Sequence, residues 1–429
     1  MDFATVSVLS LVAVVAVSCV ANANVGLMAL GLAWILGVYV APWFGVDAFA
    51  AKTVAGWFPV DLLVTLSGVT LLFAIAAANG TLGLVTRAAE RLCRSSPWAL
   101  PPAFFLLAAG VSAAGAGSSP TAALLAAPAM AAAARSRLSP LLMMVMVGHG
   151  SIAGTLSPMS PMGVIADEKL AAMGLDGRQA ATFWINALVN TAVAAAGLLV
   201  LGRRRPATID APCASAAGPS PPPEADRAAG FDRRHAATLL AITAVVAGVV
   251  VAGMHVGFAS FTAATILLLA GAGNERDALR AVPWGVILMV CGVSVLVTLC
   301  EQTGGLDLFS RWVAACATPD TLNGWLAGLT GLVSVFSSTS GVVLPTFLPA
   351  VPDVLGHMGG DATPARMFAA ATAINVGSNV VDVSSVSTIG ALCVAGCPDE
   401  ATRRTLYRQG LAWGLTMTVV GAAVCQLIL

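Results

Sequence analysis

The chain has 429 residues, of which 58% are hydrophobic and only 10% are Asp, Glu, Lys or Arg. Soluble domains average about 25% charged residues, so this composition, with a mean hydropathy of +0.88, excludes a water-soluble enzyme. The formal net charge is zero, which argues against nucleic acid as a partner. The composition therefore predicts an all-α polytopic membrane protein, with the lipid bilayer as its surroundings.

Apolar windows of about 20 residues predict ten membrane spans. They lie at 3–21, 25–42, 60–79, 139–166, 181–201, 236–254, 256–272, 284–301, 366–396 and 406–429. No basic segment precedes the first span, which favours a membrane helix over a cleaved signal. The nine cysteines contain no CxxC pair, so neither disulfides nor a metal site is expected.

Two further apolar stretches, 99–134 and 322–352, are each interrupted by a short polar sequence. The interruptions are Ser118-Ser119-Pro120-Thr121 and Ser337-Ser338-Thr339-Ser340. Each half of these stretches is short for a full crossing. We therefore interpret them as two re-entrant hairpins, hairpin one and hairpin two.

The two halves of the chain repeat each other around a polar linker at 203–235, which contains Gly218-Pro219-Ser220-Pro221-Pro222-Pro223. Pro59 and Gly68 recur at an offset of 224 as Pro283 and Gly292. GSIAGTLSPMSPMG at 150–163 aligns with GSNVVDVSSVSTIG at 377–390 at an offset of 227. Two blocks in the same order indicate an internal duplication, with repeats at 1–202 and 236–429.

Each half has five crossings and a hairpin that returns to its own side, so the second half must be inverted relative to the first. In this topology 16 of the 21 Lys and Arg residues face one side of the membrane and five face the other. Basic residues accumulate in cytoplasmic loops. We therefore expect a protein of the cell inner membrane with both termini outside and the linker 203–235 in the cytoplasm.

Four polar clusters lie at matching places in the two halves, at 118–121, 150–161, 337–340 and 377–388. Irregular backbone at membrane depth persists only where protein or a water-filled cavity satisfies its polar groups. Small polar residues also pack helices together, and that is the alternative for any single serine. Taken together, the clusters predict one binding site near the middle of the membrane, where helix N-termini can face an anion.

Asp382 is the only carboxylate deep inside a predicted span. A buried carboxylate normally faces a cavity, a cation or a proton path, and the alternative is a misplaced span boundary. His149 could balance a bound anion or serve as a structural hydrogen-bonding group. A hydrolase with Ser118 or Ser151 as nucleophile, His149 as base and Asp382 as acid is a competing class, and a channel is another.

The hairpin tips and the sequences GHGSIAGTLSPMSP and NVGSNVVDVSS resemble the ion transporter superfamily. Within it the chain is similar to the dicarboxylate carrier MatC group, relatives of the divalent anion/sodium symporters. The resemblance implies two discontinuous helices and a homodimeric elevator in which a transport part slides against a scaffold. The scaffold would comprise 1–98 and 236–320, and the transport part 99–202 and 321–429.

In the symporters a Ser-Asn-Thr motif at each hairpin tip binds the substrate carboxylate and helps to hold sodium. By position these motifs fall on Ser118 to Thr121 and on Ser337 to Thr339, where the Asn is absent and the first motif has an inserted Pro. The expected substrate-binding residues are Ser118, Ser119, Thr121, Ser337, Ser338, Thr339, Ser151, Thr155, Ser157, Ser378 and Asn379. Those expected to hold the coupling cation are Gly150, Asn375 and Asp382.

The sequence therefore predicts a secondary transporter of small organic anions, di- or tricarboxylates such as malonate, succinate or malate. No cofactor is expected other than a coupling sodium ion or proton. An ion antiporter or an inorganic-oxyanion carrier on the same fold is the alternative within transport.

Overall fold

The computed structural model describes residues 2–20, 24–81, 83–84, 97–202, 232–336, 339–358, 362–397 and 399–429. Regular structure within these ranges is helical, and no strand occurs in them. The predicted all-α class is confirmed. Residues 203–231 of the linker, together with Ser337 and Ser338 at the predicted tip of hairpin two, lie outside the described residues.

The helices of the first half follow the predicted spans, with one short addition. They are α1 (Phe3–Val20), α2 (Val25–Ile35), α3 (Ala51–Gly56), α4 (Val60–Ala78), α5 (Leu100–Val111), α6 (Ser118–Ser136), α7 (Pro140–Gly154), α8 (Pro161–Ala172) and α9 (Gln179–Gly202). A π-helical turn, Leu36–Val40, and a 3-10 turn, Ala41–Phe44, extend α2.

The second half has a similar order of helices. They are α10 (Arg233–Ala252), α11 (Val256–Leu269), α12 (Glu275–Ala281), α13 (Trp284–Gln302), α14 (Gly305–Ala315), α15 (Leu322–Phe336), α16 (Leu344–Phe347), α17 (Val351–His357), α18 (Pro364–Val380), α19 (Thr388–Ala395) and α20 (Glu400–Ile428).

Among the described residues, five helices are long and apolar enough to cross a membrane: Val25–Phe44, Val60–Ala78, Gln179–Gly202, Trp284–Gln302 and Glu400–Ile428. Five shorter apolar helices accompany them: Phe3–Val14, Leu100–Ala116, Pro140–Gly154, Val256–Leu269 and Leu322–Val335. Large apolar side chains on the outer helices, such as Val251, Leu269 and Leu427, are at least 84% exposed. Such a surface fits contact with lipid, and the count of ten spans stays a prediction.

Glycines let pairs of helices approach each other closely in both halves. A Cβ atom added at Gly292 of α13 would lie 2.0 Å from the main-chain oxygen of Gly26 in α2. A Cβ atom added at Gly68 of α4 would lie 2.4 Å from the main-chain oxygen of Gly257 in α11. Gly68 and Gly292 are the residues that the offset of 224 aligns. The aligned helices therefore make the same kind of backbone crossing.

The stretch 99–134, which was predicted as hairpin one, bends at a different place from the one predicted. We expected the interruption at 118–121, but Ser118 begins α6, and the chain turns just before it. Gly115 and Gly117 have φ angles of 126° and 76°, a region that favours glycine because it lacks a Cβ atom. The polar motif consequently forms the first turn of a helix, where the main-chain N–H groups of Ser118 and Ser119 have no partner within the helix.

The predicted spans 139–166 and 366–396 are each two helices with an irregular break between them. In broken helix one, α7 ends at Gly154 and α8 begins at Pro161. In broken helix two, α18 ends at Val380 and α19 begins at Thr388. The breaks contain the polar clusters that the sequence singled out.

Candidate functional site

The two breaks share the same main-chain hydrogen bonds at an offset of 227. The Ser160 hydroxyl donates to the main-chain oxygen of Thr155, and the Ser387 hydroxyl donates to that of Asp382. The Ser160 amide donates to Ser157 O at 2.9 Å, and the Ser387 amide donates to the corresponding serine, Ser384, at 3.0 Å. The breaks are therefore two copies of one structure.

Break one is also bonded to hairpin one. The Ser157 hydroxyl donates to the main-chain oxygen of Ala113 at 2.7 Å, just before the bend of the hairpin. The Met159 amide donates to the Ser157 hydroxyl oxygen at 3.2 Å. Ser157, predicted as a substrate ligand, therefore holds the break against the hairpin.

Asp382 lies in break two and is only 9% exposed. Its Oδ1 accepts a hydrogen bond from the Ser334 hydroxyl at 3.0 Å, and its Oδ2 accepts one from the Thr339 hydroxyl, also at 3.0 Å. Ser334 lies on α15, the first arm of hairpin two, whereas Thr339 lies beyond the tip. The carboxylate therefore joins broken helix two to both sides of that hairpin. We call these three residues the Asp382 cluster.

Two amide side chains on α18 are buried without any hydrogen-bond partner in the described part of the chain. Both the nitrogen and the oxygen of Asn375 and of Asn379 are unpaired, and the Thr372 hydroxyl is unpaired as well. Spacings of three and four residues place them on one face of the helix. Burying an unpaired polar group costs about 1 to 3 kcal/mol, so this face is suited to a polar ligand.

Two other predicted ligands on the broken helices, Ser151 and Ser378, donate hydrogen bonds within their own helices. The Ser151 hydroxyl donates to Gly148 O at 2.8 Å, and the Ser378 hydroxyl donates to Ile374 O at 2.7 Å. Gly150 packs against hairpin one, since a Cβ atom added there would lie 2.5 Å from Phe105 O. These residues shape the site and do not present free side-chain groups to it.

The tip residues of hairpin one differ in their exposure. Ser118 and Thr121 are buried, and Ser119 is half-buried. The Thr121 hydroxyl has no partner among the described residues. Of the predicted substrate-binding residues at the tip of hairpin two, only Thr339 is described, and it belongs to the Asp382 cluster.

His149 is the centre of a buried polar network. Its Nδ1 lies 2.9 Å from Asn190 Oδ1, and its Nε2 accepts a hydrogen bond from the Trp413 indole at 3.0 Å. Asn190 in turn donates to Asn186, whose amide donates to Ile152 O at 2.8 Å. The network joins α7, α9 and α20, and both ring nitrogens are used. His149 is therefore a structural hydrogen-bonding group here.

The residues considered for a hydrolase do not form a catalytic triad. Ser151 donates to a main-chain oxygen, His149 bonds Asn190 and Trp413, and Asp382 accepts from Ser334 and Thr339. Nucleophilic catalysis needs the base within hydrogen-bond reach of the nucleophile and an acid that orients the base. No hydrogen bond of this kind joins the three in the structure as described.

The sequence did not single out Ser112, Ser334, Thr372, Asn186, Asn190 or Trp413. Isolated serines and threonines in apolar helices look like packing residues. The partners of His149 lie 41 and 264 residues away along the chain. The detectable signal was an asparagine pair, Asn186 and Asn190, four residues apart in an otherwise apolar helix.

Comparisons with known proteins point to transporters. Residues 1–155 match the family model described as the N-terminus of the dicarboxylate carrier protein MatC. Among solved structures, the chain resembles the crystal structure of the Alcanivorax borkumensis YdaH transporter, which is described as having an unusual topology. The TM-score is 0.53 and the sequence identity is 14%, over 94% of this chain and 96% of that chain. No curated protein matches significantly.

These findings bear on separate parts of the chain. The family match supports the resemblance to the MatC carriers over residues 1–155, from α1 to α7. The structural match extends over nearly the whole chain and shows a shared fold at low sequence identity. The chain therefore shares its overall fold with that transporter.

Proposed function

We propose that this protein is a secondary active transporter of small organic anions, with di- or tricarboxylates such as malonate, succinate or malate as substrates. The observation that carries the proposal is the pair of matching helix breaks, one of which holds the buried carboxylate of Asp382. Discontinuous helices that meet at membrane depth are typical of secondary transporters. The transporter fold and the MatC match over residues 1–155 support the same class.

The chemistry of the breaks favours an anion as substrate. Segments 105–134, 138–166 and 323–352 contain no Lys or Arg, so no basic side chain in them can neutralise a substrate. Helix α6 begins at Ser118, and α8 and α19 begin at the ends of the two breaks. The positive ends of helix dipoles and buried hydroxyl donors can stabilise a carboxylate instead.

Asp382 supplies the coupling function in this proposal. It binds the coupling cation, sodium or a proton, together with the side-chain oxygen of Asn375, which is buried and unpaired in the described residues. Gly150 has no side chain, so only its main-chain atoms can contact the cation. The corresponding residue of the first half is Thr155, which carries no charge, so coupling is asymmetric between the two halves.

The matching helices and breaks support an inverted repeat with two re-entrant hairpins in the inner membrane. In this arrangement residues 99–202 and 321–429 form the transport part, and residues 1–98 and 236–320 form the scaffold. The linker 203–235 lies in the cytoplasm. Alternating access occurs by an elevator movement of the transport part within a homodimer, in keeping with the resemblance to the symporters.

Uptake by purified protein in liposomes tests the proposal. Labelled malonate, succinate, malate, citrate and sulfate are compared with and without sodium and proton gradients, and protein-free liposomes are the control. We expect gradient-driven accumulation of at least one carboxylate. Accumulation of sulfate alone would favour the inorganic-oxyanion carrier, and transport of no anion under any gradient would contradict the proposal.

A further inference from the structure

Packing contacts show which residues of the two hairpins correspond. A Cβ atom added at Gly150 would lie 2.5 Å from Phe105 O, and one added at Gly377 would lie 2.4 Å from Ala327 O. Gly150 and Gly377 are aligned in the two repeats, so Phe105 and Ala327 occupy equivalent places, 222 residues apart. The first arms of the hairpins therefore align at that offset.

The same offset aligns Ser112 with Ser334 on these first arms. The tip motifs, Ser-Ser-Pro-Thr and Ser-Ser-Thr, each end in a threonine, and these two threonines align. The offset of 227 aligns the two breaks. Three pairs of equivalent residues result: Ser112 with Ser334, Thr121 with Thr339, and Thr155 with Asp382. The first member of each pair belongs to the first half, and we call Ser112, Thr121 and Thr155 the hydroxyl cluster.

In the second half this position is filled by a carboxylate of the protein itself. Each oxygen of Asp382 accepts one hydrogen bond, from Ser334 or from Thr339, both at 3.0 Å. The Ser334 and Thr339 hydroxyls also lie within hydrogen-bond distance of each other, so the Asp382 cluster is a closed site in which two neighbouring hydroxyls hold one carboxylate. It shows how this structure binds such a group.

In the first half the equivalent hydroxyls lack a strong hydrogen-bond acceptor among the described residues. The hydroxyls of Ser112 and Thr121 are buried and lack a partner in the described ranges. The Thr155 hydroxyl has only the sulfur of Met162, at 3.9 Å, which is a weak acceptor. A Cβ atom added at Gly154 would lie 2.9 Å from that of Ser112, so Ser112 packs against the end of α7, where Thr155 is the next residue of the chain. Two buried hydroxyls without a partner, and a third with only a weak acceptor, are costly unless a ligand completes them.

We propose that the hydroxyl cluster binds one carboxylate of the substrate, in the place that Asp382 fills in the other half. This inference rests on the proposed function and specifies its substrate. The protein binds only one substrate carboxylate through such a site, because the Asp382 side chain occupies the equivalent site in the second half. A substrate therefore needs one free carboxylate, and a second carboxylate adds little affinity.

Counterflow in liposomes tests this without dependence on a gradient. Labelled succinate is the probe, and the competitors are succinate and succinamate, in which an amide replaces one carboxylate. We expect the half-maximal inhibitory concentrations of the two competitors to agree within about threefold. A preference for succinate of about tenfold or more, the effect of one hydrogen bond to a charged group, would overturn the inference.

Two substitutions address the hydroxyl cluster directly. Ser112→Ala should raise both inhibitory concentrations by about tenfold, because a charged ligand loses one hydrogen bond. Ser294→Ala is the matched control, since this hydroxyl of α13 is also buried and unpaired but lies outside the cluster. Equal effects of the two substitutions, or a loss of sodium dependence with unchanged inhibition in Ser112→Ala, would overturn the inference.

Exchanging the residues of the third pair should add a substrate preference in one variant and abolish counterflow in the other. Asp382→Thr removes the internal carboxylate and should create a preference for succinate over succinamate of about tenfold. Thr155→Asp should abolish counterflow of both, because the first position is then filled. If the wild-type protein shows no counterflow of any carboxylate, the proposed function fails. If the wild type shows counterflow and Asp382→Thr leaves the preference unchanged, only this inference fails.

Discussion

Thr155 and Asp382 occupy the same position in the two broken helices, and each accepts a hydrogen bond at its main-chain oxygen from the serine five residues later. The main chain of the site is therefore duplicated, whereas the side chains are not. One half presents hydroxyls, and the other half presents a carboxylate. A transporter built in this way can use one half for its anionic substrate and the other for a coupling cation.

The topology is tested by cysteine accessibility. A protein without its nine native cysteines receives one new cysteine, at Pro221 or at Leu429. We expect an impermeant reagent to label Leu429→Cys in intact cells and Pro221→Cys only after the membrane is opened, since basic residues favour the cytoplasm. Labelling of both from the same side would contradict the predicted inversion.

The hairpin tips are tested by Ser119→Ala and Ser338→Ala. If both hydroxyls donate to the one carboxylate that the substrate needs, either change should weaken substrate binding by about 1 to 3 kcal/mol. The measurement is the concentration of dicarboxylate that gives half-maximal uptake. Variants that reach the membrane in normal amounts and keep their affinity would show that these serines only pack.

The network around His149 is tested by Trp413→Phe. This change removes the indole N–H that bonds His149 Nε2 and leaves a buried nitrogen without a partner. The free energy of unfolding should fall by about 1 to 3 kcal/mol, seen as a lower melting temperature in detergent. Trp184→Phe is the control, since Trp184 is 68% exposed. An unchanged melting temperature for Trp413→Phe would contradict a structural role for the network.

Close packing of broken helix one on hairpin one is tested by Gly150→Ala. The new methyl group would lie 2.5 Å from the main-chain oxygen of Phe105, so the two elements must separate. Overpacking of this kind costs about 1 to 3 kcal/mol and should reduce transport as well as stability. Gly31→Ala in α2 is the control, since no atom lies within 4 Å of its added Cβ. Equal stability of the two variants would contradict the close contact.

Much of the fold could be predicted from the sequence, because long apolar segments and polar interruptions are local signals. Ser157-Pro158-Met159-Ser160-Pro161 is a poor continuous helix, and the structure breaks there. The bend of hairpin one was misplaced by a few residues. The backbone angles at Gly115 and Gly117 determine the position of the bend. The sequence does not reveal them, because a glycine in an apolar helix can equally serve in helix packing.

Prediction of the site was less complete, because its contacts join distant parts of the chain. Asp382 was recognisable as a lone buried carboxylate, but its partner Ser334 lies 48 residues away and on another helix. Ser151 and Ser378 were expected to bind ligands, yet each donates to its own helix. A hydroxyl in a helix can always bond the preceding turn, and sequence alone does not show which ones do so.

The most direct test of the account compares Asp382→Asn with the wild-type protein in the same liposome preparation. Asparagine keeps the size of the side chain but cannot carry the negative charge that binds the coupling cation. Both gradient-driven accumulation and counterflow of a transported carboxylate are measured, and Asp176→Asn, in an exposed turn, is the control. The account predicts that Asp382→Asn loses accumulation and keeps at least part of its counterflow. Full sodium- or proton-driven accumulation by that variant would contradict it.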